Sequence, residues 1–178
     1  MKGKLLLMAL LLAFSVLTGC SKGPKADVTL FLMASNGVPN EVGEKLQQSL
    51  QAKVGEGMTV EVVTTPIFSL EKLIVEIAAG GHGVLIVPGE QFKALGQQGG
   101  YVSLDDVANP EDYPEGVLEM TEDGKTEKHL YGIPLEHSRW FADLQLNGKD
   151  LFAFIPLNAP DHEKAKQVMK IIAEKKQD

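Results

Sequence analysis

Residues 69–89 read SLEKLIVEIAAGGHGVLIVPG and carry the clearest structural signal in the chain. From Leu70 to Ala78, apolar residues recur at the spacing of one face of a helix, which predicts an amphipathic helix. Ser69 is a suitable N-cap, and Gly80-Gly81 ends the helix. The run Val84 to Val87 follows without a charged residue and predicts a buried strand. This stretch is therefore a helix followed directly by a strand of the core.

Two similar units precede this stretch. Val28 to Met33 predicts a buried strand, and Asn40 is a candidate cap for a helix that Gly55 ends. Met58 to Thr65 predicts a second strand, and Glu90 to Leu95 a short helix after the third. Strand–helix units in succession favour an α/β fold with a mainly parallel sheet flanked by helices. The chain has neither glycine-rich phosphate-binding motif, which disfavours a nucleotide site.

The second half of the chain has a different pattern. Val117 to Tyr131 predicts a hairpin around Asp123-Gly124. Alternating apolar residues from Trp140 to Ile155 predict a C-terminal hairpin around Asn147-Gly148. Asp161 is a candidate cap for a last helix.

The N-terminus has the pattern of a secretory signal. Lys2 and Lys4 precede an apolar run from Leu5 to Leu17, which is shorter than the ~20 residues that span a bilayer. The tetrapeptide Leu17-Thr18-Gly19-Cys20 resembles the lipobox of bacterial lipoproteins. The resemblance implies that Cys20 is S-lipidated, becomes the mature N-terminus and anchors the protein to the cell membrane on its extracytoplasmic face.

These features divide the chain into a lipoprotein signal peptide at 1–19, a lipidated tether at 20–26 and a single α/β domain at 27–178. The chain has 17 basic and 24 acidic residues and a formal net charge of −7. Such a charge disfavours nucleic acid, which needs a basic surface. Cys20 is the only cysteine, so lipidation would leave no thiol for a disulfide or a nucleophile.

Several stretches resemble the extracellular solute-binding lipoproteins of ABC importers. They are, in chain order, residues 70–81, residues 101–105, residues 123–125 with 131–135, and residues 154–156. The resemblance implies a periplasmic-binding-protein-like fold with only the first lobe. The chain between Pro134 and Ile155 is too short to hold the second lobe of that family.

The predicted sheet places a candidate ligand site at its carboxyl edge, because ligands of open α/β sheets bind there. Ser35 and Asn36 follow the first predicted strand, Phe68 follows the second and Glu90 follows the third. We expect these four residues to contribute to a ligand-binding site.

A second cluster, residues 136–140, combines acid, imidazole, guanidinium and indole groups. Glu136, Arg139 and Trp140 are candidate ligand-binding residues, because Trp and Arg can stack on a sugar or pair with a carboxylate. The alternative is a solvated loop with Trp140 turned into the core. The histidines lack metal-ligand spacing, and no nucleophile lies in a recognised motif, so we expect no metal, no cofactor and no catalytic residue.

These observations together predict a non-enzymatic, solute-binding-like lipoprotein that serves a membrane importer or sensor. The alternative is an interaction lipoprotein that binds a protein partner and has no small ligand. The sequence leaves both functions open.

Overall fold

The computed structural model describes residues 25–122 and 125–176. The predicted signal peptide, Cys20, most of the tether and the Asp123-Gly124 turn lie outside these residues. The strands are β1 Val28–Leu32, β2 Val60–Thr64, β3 Val84–Pro88, β4 Val117–Glu122, β5 Lys125–Leu130, β6 Gly132–Pro134 and β7 Leu151–Phe154. The α-helices are α1 Asn40–Val54, α2 Leu70–Ala79, α3 Gly89–Gly96, α4 Arg139–Asp143 and α5 His162–Ile172. Short 3₁₀ helices occupy Pro110–Asp112, Pro114–Gly116 and Leu135–His137.

Five strands form the main sheet in the order β2-β1-β3-β7-β6, and helices cover both faces. The α/β class with flanking helices is therefore confirmed. The prediction of a mainly parallel sheet is wrong, because β7 is antiparallel to both β3 and β6 and the sheet is mixed. The connection from β6 to β7 begins and ends at the same edge of the sheet. β7 therefore runs in the direction opposite to β6, and no crossover connection is needed.

The predicted hairpin around Asn147-Gly148 is also wrong. Residues 139–143 form the short helix α4, and β7 pairs with β3 and β6. Trp140 and Phe141 are both buried although they are neighbours, which a strand with one solvated face does not allow. The strands of the other predicted hairpin are confirmed, because β4 and β5 pair in antiparallel register. Val117 is opposite Leu130 at one end of the pair, and Glu122 is opposite Lys125 at the other.

Two of the three predicted helix caps are confirmed. The Ser69 hydroxyl accepts a hydrogen bond from the Lys72 backbone N–H, and the Asp161 carboxylate accepts one from that of Lys164. Asn40 is not a cap, because it is already the first residue of α1 and the preceding Pro39 provides no side-chain acceptor.

The two faces of the sheet carry separate cores. Helices α1, α4 and α5 cover one face and bury Leu46, Trp140 and Met169 against alternate residues of β1 and β3. Helices α2 and α3 cover the other face, where the Phe92 ring stacks on Phe152 with a centroid distance of 4.9 Å. Within the described ranges, no helix has the length and apolar character that a bilayer crossing requires.

The helix predicted from residues 70–78 is present as α2, but its apolar stripe is mostly uncovered. Leu73 is the one fully buried residue of α2. Leu70 and Ile74 are 50% and 53% exposed. The apolar periodicity therefore correctly predicted a helix. The folded protein buries only a narrow part of the apolar face of that helix.

Candidate functional site

The carboxyl edge of the sheet has a change in strand order beside β1. The chain leaves β1 for β2 on one side and then returns to β3 on the other, and all three strands are parallel. Crossovers that diverge in this way leave a crevice at the carboxyl edge, where ligands of open α/β sheets bind. A cleft of about 420 Å³ lies there, lined by Ala34, Ser35, Asn36, Asn147, Lys149, Asp150 and Leu151. We call it the carboxyl-edge cleft.

One wall of the cleft is the turn that follows β1. Ser35 and Asn36 are exposed at its tip, and the Gly37 N–H donates to the Ala34 carbonyl at 2.8 Å. Gly37 has φ of 73°, and a Cβ at this position would collide with the carbonyl of Pro66. The turn is therefore fixed against the loop after β2 by a position that only glycine can occupy.

The other wall is the loop that precedes β7. The Lys149 N–H donates to the Asn147 side-chain oxygen at 2.9 Å, which closes a tight turn. A Cβ at Gly148 would collide with the carbonyl of Leu135, so this turn is also specified by glycine. Asp150 follows with φ of 59°, an uncommon left-handed conformation for a residue with a side chain.

Asp150 connects this loop to the start of α3. Its carbonyl accepts a hydrogen bond from the Gly89 N–H at 2.8 Å. A Cβ built at Gly89 would lie 2.8 Å from Oδ1 of Asp150, so the carboxylate lies against the first turn of the helix. The positive end of the helix dipole stabilises a negative charge at this place. The cleft thus has a carboxylate at the start of α3, and the exposed Lys149 also lines it.

An apolar crevice of about 200 Å³ continues from the cleft. The two share Ala34, Asn147 and Leu151, and the crevice passes between α1 and α4. Its further lining comes from Leu32, Gly37, Val38, Pro39, Val42, Leu46, Phe141 and Leu146. Hydroxyl, amide, ammonium and carboxylate groups at the rim and apolar side chains below are the usual composition of a small-molecule site.

Of the residues predicted from the sequence, Ser35 and Asn36 line this cleft. Glu90 is exposed in the first turn of α3, one residue from Gly89, but does not line it. Phe68 is half-buried and packs against the core beneath α2. The structure therefore brings together two of the four residues that follow the predicted strands.

The cluster at residues 136–140 does not form a common site. Glu136 and Arg139 are exposed, and Arg139 Nε lies 3.9 Å from Oδ2 of Asp143. Trp140 is fully buried, and its indole N–H donates to the Leu46 carbonyl at 3.3 Å. The alternative that Trp140 turns into the core is confirmed. Its buried ring has no surface to offer a ligand.

Sequence reasoning missed Asn147, Lys149 and Asp150. The signal was present in the Asn147-Gly148 turn, but the alternation around it favoured a hairpin and placed the turn far from β1. The antiparallel entry of β7 between β3 and β6 brings this turn to the carboxyl edge instead.

A second polar group, on the β4–β5 ribbon, centres on His129. Its Nδ1 lies 2.6 Å from Asp105 Oδ2 and its Nε2 lies 3.1 Å from Glu127 Oε2. The hydrogen bond to Asp105, and then the one to Glu127, raise the pKa of His129 above its usual value. Both ring nitrogens are engaged, so the imidazole connects structural elements and has no free nitrogen for a ligand. Across the described residues, no group of three or more His, Cys, Asp or Glu side chains is arranged to hold a metal ion.

The geometry defines an α/β protein with an open cleft at the carboxyl edge of its sheet. Comparison with known proteins adds its class. No protein-family profile matches the chain, and no solved structure matches it. A Bacillus subtilis (strain 168) protein described as "Putative lipoprotein YteS" is 30% identical over 167 residues, which cover 89% of each chain. The chain belongs to the same family as this protein. The relation supports the lipoprotein class that the sequence around Cys20 predicts.

Proposed function

We propose that the protein is a non-enzymatic, membrane-anchored lipoprotein that binds a small hydroxylated solute in the carboxyl-edge cleft. The anchor is the acylated Cys20 on the extracytoplasmic face of the cell membrane. The lipobox-like sequence and the description of the Bacillus subtilis relative support this part of the proposal. The protein would pass its solute, or a signal of its presence, to a membrane importer or sensor.

The observation that carries the solute-binding role is the convergence of two loops at the change in strand order. Ser35 and Asn36 offer a hydroxyl and an amide from one loop, and Asn147 and Asp150 offer an amide and a carboxylate from the other. A sugar-like solute presents hydroxyl groups that both donate and accept hydrogen bonds, and these side chains supply matching partners. The apolar crevice gives the carbon face of the solute a place to pack.

Thermal unfolding in the presence of monosaccharides, amino acids, short peptides and ions tests the solute-binding role. A solute at 100 times its Kd stabilises the folded protein by about 2.7 kcal/mol, which raises the Tm measurably. We expect sugars to raise the Tm, Asn36→Ala and Asp150→Ala to abolish the rise, and Gln48→Ala to retain it. Gln48 is an exposed amide on α1, outside the cleft. If no class of solute raises the Tm, the solute-binding role is wrong.

A protein partner at the same cleft is the second candidate. The observation in its favour is that the described residues form one main sheet with its helices and the β4–β5 ribbon, and contribute no second lobe opposite the cleft. A cleft that is formed by two loops and open on its outer side can be covered by another protein. A photo-crosslinker at Asn36 would then capture one protein in native membranes, while sugars would leave the Tm unchanged.

A further inference from the structure

The large apolar side chains that are most exposed in the described residues lie in one area. Four belong to α2 or the loop before it, and the fifth is Leu157, which is 59% exposed. We call this area the α2 apolar face; it consists of Ile67, Leu70, Ile74, Val75 and Leu157. Scattered exposed apolar residues are normal on a protein surface, whereas a contiguous set marks a contact surface.

The α2 apolar face is continuous because Leu157 is joined to α2. The Asn158 side-chain amide donates to the Ile77 carbonyl at 2.8 Å, and a groove of about 350 Å³ lies between Ile77 and Leu157. Leu95 and Tyr101 line the far side of this groove. The apolar surface therefore runs the length of α2 and onto the loop after β7.

One end of this face lies at the edge of the sheet from which the N-terminal tether departs. Helix α2 leads into β3, and the Gly83 N–H donates to the Thr29 carbonyl in β1 at 2.8 Å. β1 begins one residue earlier, at Val28, and the described chain begins at Lys25. The C-terminal end of α2 and the start of the described chain are thus at the same edge.

The tether between the anchor and the domain is short. Ser21 to Pro24 are the residues that separate Cys20 from Lys25. Fully extended, the five residue steps from Cys20 to Lys25 span about 17 Å, at ~3.3–3.6 Å per residue. An acylated Cys20 would hold this edge of the sheet close to the bilayer, and the high effective concentration would favour even a weak contact with lipid.

We propose that the α2 apolar face rests on the bilayer, with its Ile, Leu and Val side chains at the level of the acyl-chain boundary. This inference rests on the proposed lipid anchor. At the helical period, Glu71 falls between Ile74 and Val75, and Lys72 lies on the far side of Val75. Both charged side chains are exposed and would reach the headgroups. The chain has a net negative charge, which anionic lipid would repel. The proposed contact is therefore apolar and does not require anionic lipid. The residues of the carboxyl-edge cleft are not part of this face and stay free for a solute.

The test uses the acylated full-length mature protein in phosphatidylcholine vesicles. Because Cys20 is the only cysteine and is acylated, a Val75→Cys variant has one thiol for an environment-sensitive fluorophore. A Gln48→Cys variant is the matched control, since Gln48 is exposed on α1, across the sheet from α2. We expect a several-fold rise in emission and quenching by spin-labelled lipid at position 75, and neither at position 48.

The outcomes separate the two proposals. If the protein does not float with the vesicles, the anchor itself is wrong and the bilayer contact with it. If the protein floats but the probe at position 75 shows the same emission and lipid quenching as the probe at position 48, the anchor stands and the bilayer contact is wrong. Protection at position 75 in native membranes but not in lipid vesicles assigns the face to a protein partner and also overturns the proposal. An Ile74→Ser variant should float normally and show reduced quenching at position 75.

Discussion

Helices α5 and α2 show opposite relations between composition and burial. Helix α5 carries charged residues along much of its length, yet it buries Ala165, Val168, Met169 and Ile172 completely. Helix α2 is much more apolar, yet it fully buries only Leu73. A helical period in the sequence identifies an apolar face. It does not reveal whether that face is covered by the rest of the chain.

The difference has a cause in how each helix is attached. Helix α5 packs against β1, β7, α1 and α4. Two surface ion pairs add to this contact: Lys164 pairs with Asp27 at 2.5 Å and Lys166 pairs with Asp106 at 2.8 Å. Helix α2 crosses from β2 to β3 and contributes only the buried Leu73 and the half-buried Ile77 to the core that contains Phe92. The well-covered face should therefore determine global stability, while α2 should contribute little to it.

Removing the largest side chain of the covered face should have the greatest effect. Trp140→Ala deletes a fully buried indole and its hydrogen bond to the Leu46 carbonyl. We expect the free energy of unfolding to fall by about 3–5 kcal/mol. Urea denaturation measures the loss, and Trp140→Phe, which keeps a ring in the site, should lose less. A loss below about 1 kcal/mol would mean that this face is not closely packed.

A matched pair of isoleucines compares the two helices directly. Ile172 on α5 is fully buried and Ile74 on α2 is 53% exposed. Ile172→Ala should lower the free energy of unfolding by about 2–5 kcal/mol, whereas Ile74→Ala should lower it by less than about 1 kcal/mol. Both are measured by the same urea titration. Equal losses at the two positions would contradict the difference in burial.

The sequence predicted those parts of the fold that depend on local patterns. The uncharged run of β3 is buried throughout, and that of β1 is buried except at the half-buried Thr29. Ser69 and Asp161 cap their helices as expected. The direction and neighbours of β7 were not predictable in this way. They depend on contacts with β3 and β6, which lie far from β7 in the chain.

The candidate site was predicted in part for the same reason. The carboxyl-edge rule identified Ser35 and Asn36, because they directly follow a strand whose direction the sequence pattern indicated. Lys149 and Asp150 reach the cleft only because β7 enters the sheet from that edge. The burial of Trp140 depends on a short helix that the alternation of residues 140–146 concealed.

The two confirmed caps provide a smaller test of how each helix is coupled to the core. Ser69→Ala and Asp161→Ala each remove a side-chain acceptor from a first helical turn, which costs about 1 kcal/mol in helix stability. The loss at Asp161 should appear in global unfolding, because α5 is part of the core. The loss at Ser69 should appear chiefly as faster amide hydrogen exchange within α2. Unchanged exchange in α2 of the Ser69→Ala variant would show that α2 unfolds only with the whole protein.

The ion pair between Asp27 and Lys164 should give the smallest effect, and it depends on pH. The hydrogen bond from Lys164, and then those from Thr59, hold the pKa of Asp27 well below its usual 3.8. A lowered folded-state pKa stabilises the protein above pH 3.8, and this stabilisation is lost as the pH falls toward the folded-state value.

Asp27→Asn should therefore be slightly less stable than the parent protein at pH 7, and the difference should shrink below pH 3.8. Urea titrations at pH 7 and in acid measure this difference; a gap that stays constant with pH would show that Asp27 contributes through its shape and not its charge. Because the pair is exposed, salt should weaken the effect at neutral pH.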